Sequence, residues 1–274
     1  MKLGCRAHDY GTHTAAQLAE ILHSHGYNAC QLAIPKAISG VADYQSITPQ
    51  TAAEIGEAFA AQGVEISVMG CYQDLSNPDA EVRKQAVANI AHCLSVQKLV
   101  GARVVGSESS YANLSEEEKA VRYPLFVDSA LRIAEAAAKY DGVFAIEPVF
   151  WHPLDTIERT QNLLDAVADK QHFKMIFDAA NVLKRKYQSA QTQLWQQWLG
   201  EFGEHIEAMH IKDFVLEGDK YCPRVLGEGV MDYTFIRSWL CENRPEMALL
   251  REEVQLQHDQ QDLHFMRSLV EVQK

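Results

Sequence analysis

Val143-Phe144-Ala145-Ile146-Glu147 and Lys174-Met175-Ile176-Phe177-Asp178 are two short apolar runs that each end in an acid, with a longer amphipathic stretch between them. A β-branched or aromatic run of this length reads as a buried strand, and the stretch joining two of them reads as the helix of a βα unit. The alternation continues in both directions: residues 3–6, 29–34, 64–69 and 102–106 lie upstream, and residues 207–211 and 247–252 downstream. Eight runs, each followed by a helical stretch, predict a single (β/α)8 TIM barrel over residues 1–274. An open doubly wound sheet is the competing arrangement, and the absence of a GxGxxG after the first run counts against it.

Helix punctuation falls between the runs. Thr48-Pro49 supplies an N-cap residue and a first-turn proline, and Gly63 closes that helix. Ser115 with Glu118 forms a capping box that opens a helix to Tyr140, broken by Asp141-Gly142. Gly26 and Gly101 stand at equivalent helix-to-strand junctions. The Gln-, Lys- and Arg-rich residues 183–197 are expected to form a solvated loop and helix after the sixth strand. Nothing in the composition marks a linker or a second domain.

The chain of 274 residues is 47% hydrophobic, enough for one large core. Its formal net charge of −12 repels a phosphate backbone, which argues against nucleic acid as a partner. No apolar run approaches the roughly 20 residues that span a bilayer, and the opening residues carry no secretory h-region, so a cytoplasmic protein without membrane partners is expected. Six cysteines without a CxxC pair suggest buried thiols and neither a zinc knuckle nor a disulfide framework.

In a barrel, functional groups gather at the C-terminal ends of the strands. The fifth run ends in Glu147, the sixth in Asp178, the seventh carries His210, and the eighth ends in Glu252 or Glu253. Charged residues are depleted in buried strands, so four successive runs ending this way point to a shared site. Three carboxylates and an imidazole at one mouth leave uncompensated negative charge unless a cation joins them. Hard oxygen ligands with one nitrogen suit one divalent metal ion, Mn²⁺, Mg²⁺, Co²⁺ or Zn²⁺. Lys212 shares a strand face with His210, and Asp213 follows it, so both are expected to reach the mouth. Tyr72, Trp151 and Phe214 stand near strand ends, where an aromatic more often packs than recognises a ligand.

At these residues the chain resembles the xylose isomerase-like TIM barrel family of sugar isomerases and epimerases, which also includes inosose dehydratases and endonuclease IV. The resemblance runs through Gly70-Cys71-Tyr72, Asn77-Pro78-Asp79 with Arg83, Val105-Gly106-Ser107-Glu108-Ser109, Ala145-Ile146-Glu147-Pro148-Val149 with His152, Ile176-Phe177-Asp178 with Asn181, His210-Ile211-Lys212-Asp213, and Gly227-Glu228-Gly229 with Asp232. It implies one catalytic metal held by Glu147, Asp178, His210 and Glu252, with Glu147 and Glu252 also exchanging a proton through a metal-stabilised enediolate. Family members end the last strand with an apolar run and then Glu, which favours Glu252 over Glu253. His152, Lys212, Glu108 and His8 are then candidates for contacting the substrate.

The implied activity is metal-dependent isomerisation or epimerisation of a sugar, sugar derivative or polyol. A dehydratase of a cyclic polyol ketone shares the first step, and a non-catalytic sugar-binding barrel is a third reading. The endonuclease branch binds further zinc ions through histidines on earlier strands. Here Met69-Gly70-Cys71 and Gly106-Ser107-Glu108 have no histidine in those places. A homo-oligomer would be unsurprising.

Overall fold

A computed structural model describes residues 1–218 and 220–270, with the side chains of 185–187 outside the description. Eight parallel strands close into a barrel: β1 (Lys2–Arg6), β2 (Ala29–Leu32), β3 (Glu65–Gly70), β4 (Val104–Glu108), β5 (Phe144–Glu147), β6 (Phe173–Asp178), β7 (Ile206–Ile211) and β10 (Ala248–Arg251), with β10 pairing to both β7 and β1. Around them lie α1 (Ala15–His25), α2 (Ile34–Ala37), α3 (Pro49–Ala61), α4 (Ala80–Val100), α5 (Glu116–Tyr140), α6 (Ile157–Ala166), α7 (Ala179–Val182), α8 (Gln191–Phe202), α9 (Thr234–Asn243) and α10 (Asp259–Val270). The expected (β/α)8 barrel is therefore the fold, and the open sheet is excluded by closure.

The local signals act as anticipated. Thr48 Oγ1 accepts from Thr51 N ahead of Pro49, and Ser115 and Glu118 form a reciprocal capping box that starts α5. The chain leaves α4 through Gly101 in the left-handed region (φ 70°), where a side chain would be strained.

Two layers of core follow from the strand period of two. Ala29, Val68, Val104, Ala145, Ile176, Ala208, Ala248 and Leu250 pack together inside the barrel, while the opposite strand faces join the helices in a second, larger cluster. At Gly106 the inside is so tight that a Cβ would come within 2.7 Å of both Ile176 and Val68. Two residues beyond those inward positions, on the same face, stand Glu147, Asp178, His210 and Glu252.

Three details depart from the sequence reading. The second run stops at Leu32, because Ile34 already begins α2, and the fourth is displaced toward Glu108. Residues 183–197 are not wholly solvated: α8 buries Trp195 and Trp198, whose rings pack on Phe177. Between β7 and β10 the chain also forms an antiparallel hairpin, β8 (Asp213–Glu217) and β9 (Lys220–Arg224), outside the barrel.

Asp213 is the largest correction. Its carboxylate does not reach the mouth but turns into the loop behind it, accepting backbone N–H groups from Phe214, Gly227, Gly229 and Met231 at 2.9 to 3.1 Å. A Cβ at Gly229 would overlap that carboxylate, which explains the glycine. Asp213 thus organises the segment joining the hairpin to α9.

Candidate active site

The C-terminal mouth of the barrel opens into a cavity of about 790 Å³. Glu252, Lys212, Glu108 and His8 all line it, as do Tyr72, Trp151 and Phe214. His152 does not line it. The ring is buried behind Glu108, with Nδ1 at 3.5 Å from Glu108 Oε2 and no aligned hydrogen bond.

Strand parity brings four of the predicted residues into one cluster. His210 Nδ1 lies 3.1 Å from Glu147 Oε2 and 3.4 Å from Glu252 Oε1. Ligand atoms of Glu147, Asp178 and His210 lie within 4.8 Å of one another, and all three residues are buried. Lys212 Nζ sits 3.0 Å from Asp178 Oδ2 and 2.9 Å from Glu252 Oε2. Glu147 is held from both sides, its Oε1 accepting from Asn181 Nδ2 at 2.6 Å and its Oε2 from the Tyr72 hydroxyl at 3.4 Å. Asp178 Oδ1 caps α7 by accepting from Asn181 N, which leaves Oδ2 for the cluster.

Glu252 and Glu253 occupy different surroundings. Glu252 continues the inward parity of Ala248 and Leu250 and meets His210. Glu253 adopts φ 57°, which turns its side chain off that register, and Oε2 accepts from the Tyr221 hydroxyl at 2.7 Å. Between the strand and α10, Arg251 points outward, donating to Asp262 at 2.7 Å and to Arg224 O at 2.9 Å, so it ties β10, the hairpin and α10 together.

Electrostatics follow from burying like charges together. Burial opposes the charged form of His210, but the Glu252 and Glu147 carboxylates outweigh it and push the imidazole up to about 9. Burial raises Asp178 to about 6 against the pull of Lys212, with Glu147 and Glu252 adding to the rise. Glu252 goes the other way: burial works against its charge, yet Lys212, His210 and Arg6 hold it well below the usual carboxylate range. Glu108 is driven up by burial and by Glu147 and Glu252. Buried carboxylates whose environments push them apart characterise proton-transfer sites.

The cluster also passes a test for a cation. Both ring nitrogens of His210 and Oδ2 of Asp178 are buried without an aligned hydrogen-bond partner among the described residues. Such atoms are costly unless a further partner completes them. The imidazole of His210 and the carboxylates of Glu147 and Asp178 form a donor set of the hard type that could hold a divalent ion, with Glu252 beside His210.

Sequence reasoning missed Arg6, Gln31 and Tyr221, which line the cavity, and the grip of Asn181 on Glu147. Arg6 ends its strand as plainly as Glu147 ends its own, so strand-end position was an available signal. For Tyr221 the signal was the turn at Gly218 between two alternating runs, the mark of a hairpin.

A family model described as a xylose isomerase-like TIM barrel matches residues 19–266. No curated protein matches the chain in sequence. Among solved structures, D-psicose 3-epimerase from Clostridium cellulolyticum in complex with D-tagatose is 17% identical, with TM-score 0.73, covering 99% of this chain and 100% of the other. A probable 3-DHS dehydratase, AsbF, from Bacillus anthracis is 14% identical, with TM-score 0.71, covering 97% and 99% of the two chains. The IOLI protein with a bound zinc atom is 15% identical, with TM-score 0.73 and 98% of each chain covered. At such identities these likenesses concern the fold; the match of the family model over nearly the whole length shows that the chain belongs to the xylose isomerase-like TIM barrel family.

Proposed function

We propose that this barrel is a metal-dependent isomerase or epimerase of a sugar, sugar derivative or polyol, with Glu147 and Glu252 as its two proton-transfer groups. The reading rests on one observation: two carboxylates from separate strands, β5 and β10, reach the same buried imidazole beside a cavity large enough for a sugar. The similar structures of a ketose epimerase and a zinc-bearing protein support it.

Glu147, Asp178, His210 and Glu252 would hold the ion. When bound, a divalent cation there supplies Lewis acidity to a carbonyl and its neighbouring hydroxyl, making the adjacent C–H acidic enough to break. The chain's residues do the rest. One glutamate accepts the proton from carbon and the other returns a proton, on the opposite face in an epimerisation. Asn181 and Tyr72 fix the Glu147 carboxylate in one orientation, which keeps its free lone pairs pointed at a single position. Lys212, drawn between Asp178 and Glu252, is placed to donate to a substrate oxygen that gathers charge. Trp151, Phe214 and Tyr72 offer apolar faces to the C–H side of a sugar ring.

The experiment is exchange in D2O: protein supplied with Mn²⁺, Mg²⁺, Co²⁺ or Zn²⁺ is incubated with a panel of ketoses and inososes, and deuterium incorporation is read by NMR. Incorporation next to the carbonyl, with an isomer as product and about a 10³-fold loss in E147Q, is expected. Product lighter by one water would make the protein a dehydratase instead. No incorporation with any metal and any sugar would contradict the proposal.

A further inference from the structure

Beside the end of β10 and across the barrel from β5, the ends of β1 and β2 carry a basic rim. Arg6, His8, Gln31 and Lys36 all line the cavity there. Arg6 Nε donates to Asp9 Oδ1 at 2.9 Å, and Asp9 Oδ2 in turn accepts from Val254 N at 3.0 Å. This chain fixes Arg6 against the loop after β10 and leaves both Nη groups without a partner among the described residues. Lys36, on α2, has no ion pair among the described residues and is solvent-exposed. Oε1 of Gln31 and Nδ1 of His8 are buried and have no hydrogen-bond partner in the described structure.

We infer that the substrate carries an anionic end group, a carboxylate or a phosphate, which seats on this rim between Arg6 and Lys36 while the reacting carbon faces Glu147 and Glu252. The inference deepens the proposed sugar chemistry and rests on that reading of the cavity. Free guanidinium and ammonium donors in a protein of net charge −12 are most simply explained by a negatively charged ligand. Glu252, Asp9 and Glu253 all act on Arg6, whereas no acid pairs with Lys36 among the described residues. His8 is held down to about 4 chiefly by burial, with Arg6 and Lys36 adding to the fall and Asp9 and Glu252 opposing it, so it stays neutral. It can then offer a ring N–H without adding charge.

The test compares three six-carbon ligands that differ at one end: D-glucitol, D-gluconate and D-glucitol 6-phosphate. Their binding to the full chain and to K36Q is measured by calorimetry. Lys36 is exposed, so its replacement leaves the barrel intact. An anionic ligand should bind at least about tenfold more tightly than glucitol, and K36Q should weaken it about fivefold with glucitol unchanged. Preference for gluconate identifies a sugar acid, and preference for the phosphate ester a sugar phosphate. Equal binding of all three, or an anion preference indifferent to K36Q, overturns the subsite. Deuterium exchange on neutral ketoses alongside equal binding would remove the rim and leave the proton-transfer reading standing. A K36Q-sensitive anion preference in a protein that exchanges no sugar proton would do the reverse.

Discussion

The late strands β5, β6, β7 and β10 deliver Glu147, Asp178, His210 and Glu252 to the mouth, whereas the early strands β1 and β2 deliver Arg6 and Gln31. Both halves are built from the same βα unit over the same inward layer of small and branched residues. The late half concentrates negative charge in buried positions, offset by Lys212 and His210, and leaves imidazole and carboxylate atoms without an aligned hydrogen bond among the described residues. The early half spreads its positive charge over more exposed side chains. Burial is the difference that matters: it suits the late cluster to a cation, as proposed, and leaves the early rim open to an anion in water.

The sharpest break in this contrast lies between two adjacent acids. Glu252 belongs to the cluster and Glu253 to the hairpin, so E252Q should lower proton exchange by about 10³-fold, while E253Q, which keeps an acceptor for Tyr221, should stay within about threefold. Steady-state rates of the two variants decide it; equal losses would dissolve the distinction.

A second effect concerns what holds the late half in place. Replacing Asp213 by Ala strips four backbone N–H groups of their acceptor, and should cost about 2–4 kcal/mol, lowering Tm by roughly 4–8 °C. The same variant should retain its metal affinity, because Asp213 faces away from the cluster. Calorimetric unfolding and metal titration on one sample check both halves of that statement.

The smallest effect concerns buried His152 and half-buried His8. His152, behind Glu108, is lowered to about 4 mainly by burial, and His8 is lowered to a similar value by burial and the cationic rim. Their unfolded values lie near 6.5, so between about pH 6.5 and 4 the unfolded chain binds more protons. The stability they contribute is fully present above pH 6.5 and is lost as pH falls toward 4. H152Q should therefore flatten the acid limb of a stability-versus-pH curve by at most about 3 kcal/mol, measured by urea unfolding at pH 7.0 and 4.5. An unchanged limb would mean that His152 is protonated in the fold.

Much of this architecture is written locally. A strand has period two and its ends are short, so Glu147, Asp178 and His210 could be assigned to one face from their own runs. Caps at Thr48 and Ser115 are equally local. What escaped the sequence depends on contacts distant along the chain. Asp213 looks like one more mouth residue until its partners at 227–231 are seen. The partition of Glu252 and Glu253 turns on a left-handed φ at Glu253 and a tyrosine on the hairpin. His152 belongs to the motif but is separated from the cavity by Glu108.

Whether the late strands hold one divalent ion, as proposed, is read from a Mn²⁺ titration followed by electron paramagnetic resonance. One bound ion per chain is expected, released by chelator, with affinity falling at least about tenfold in D178N and in H210Q and little changed in E253Q. Absence of any site at millimolar Mn²⁺, or a site that ignores both substitutions, would contradict it.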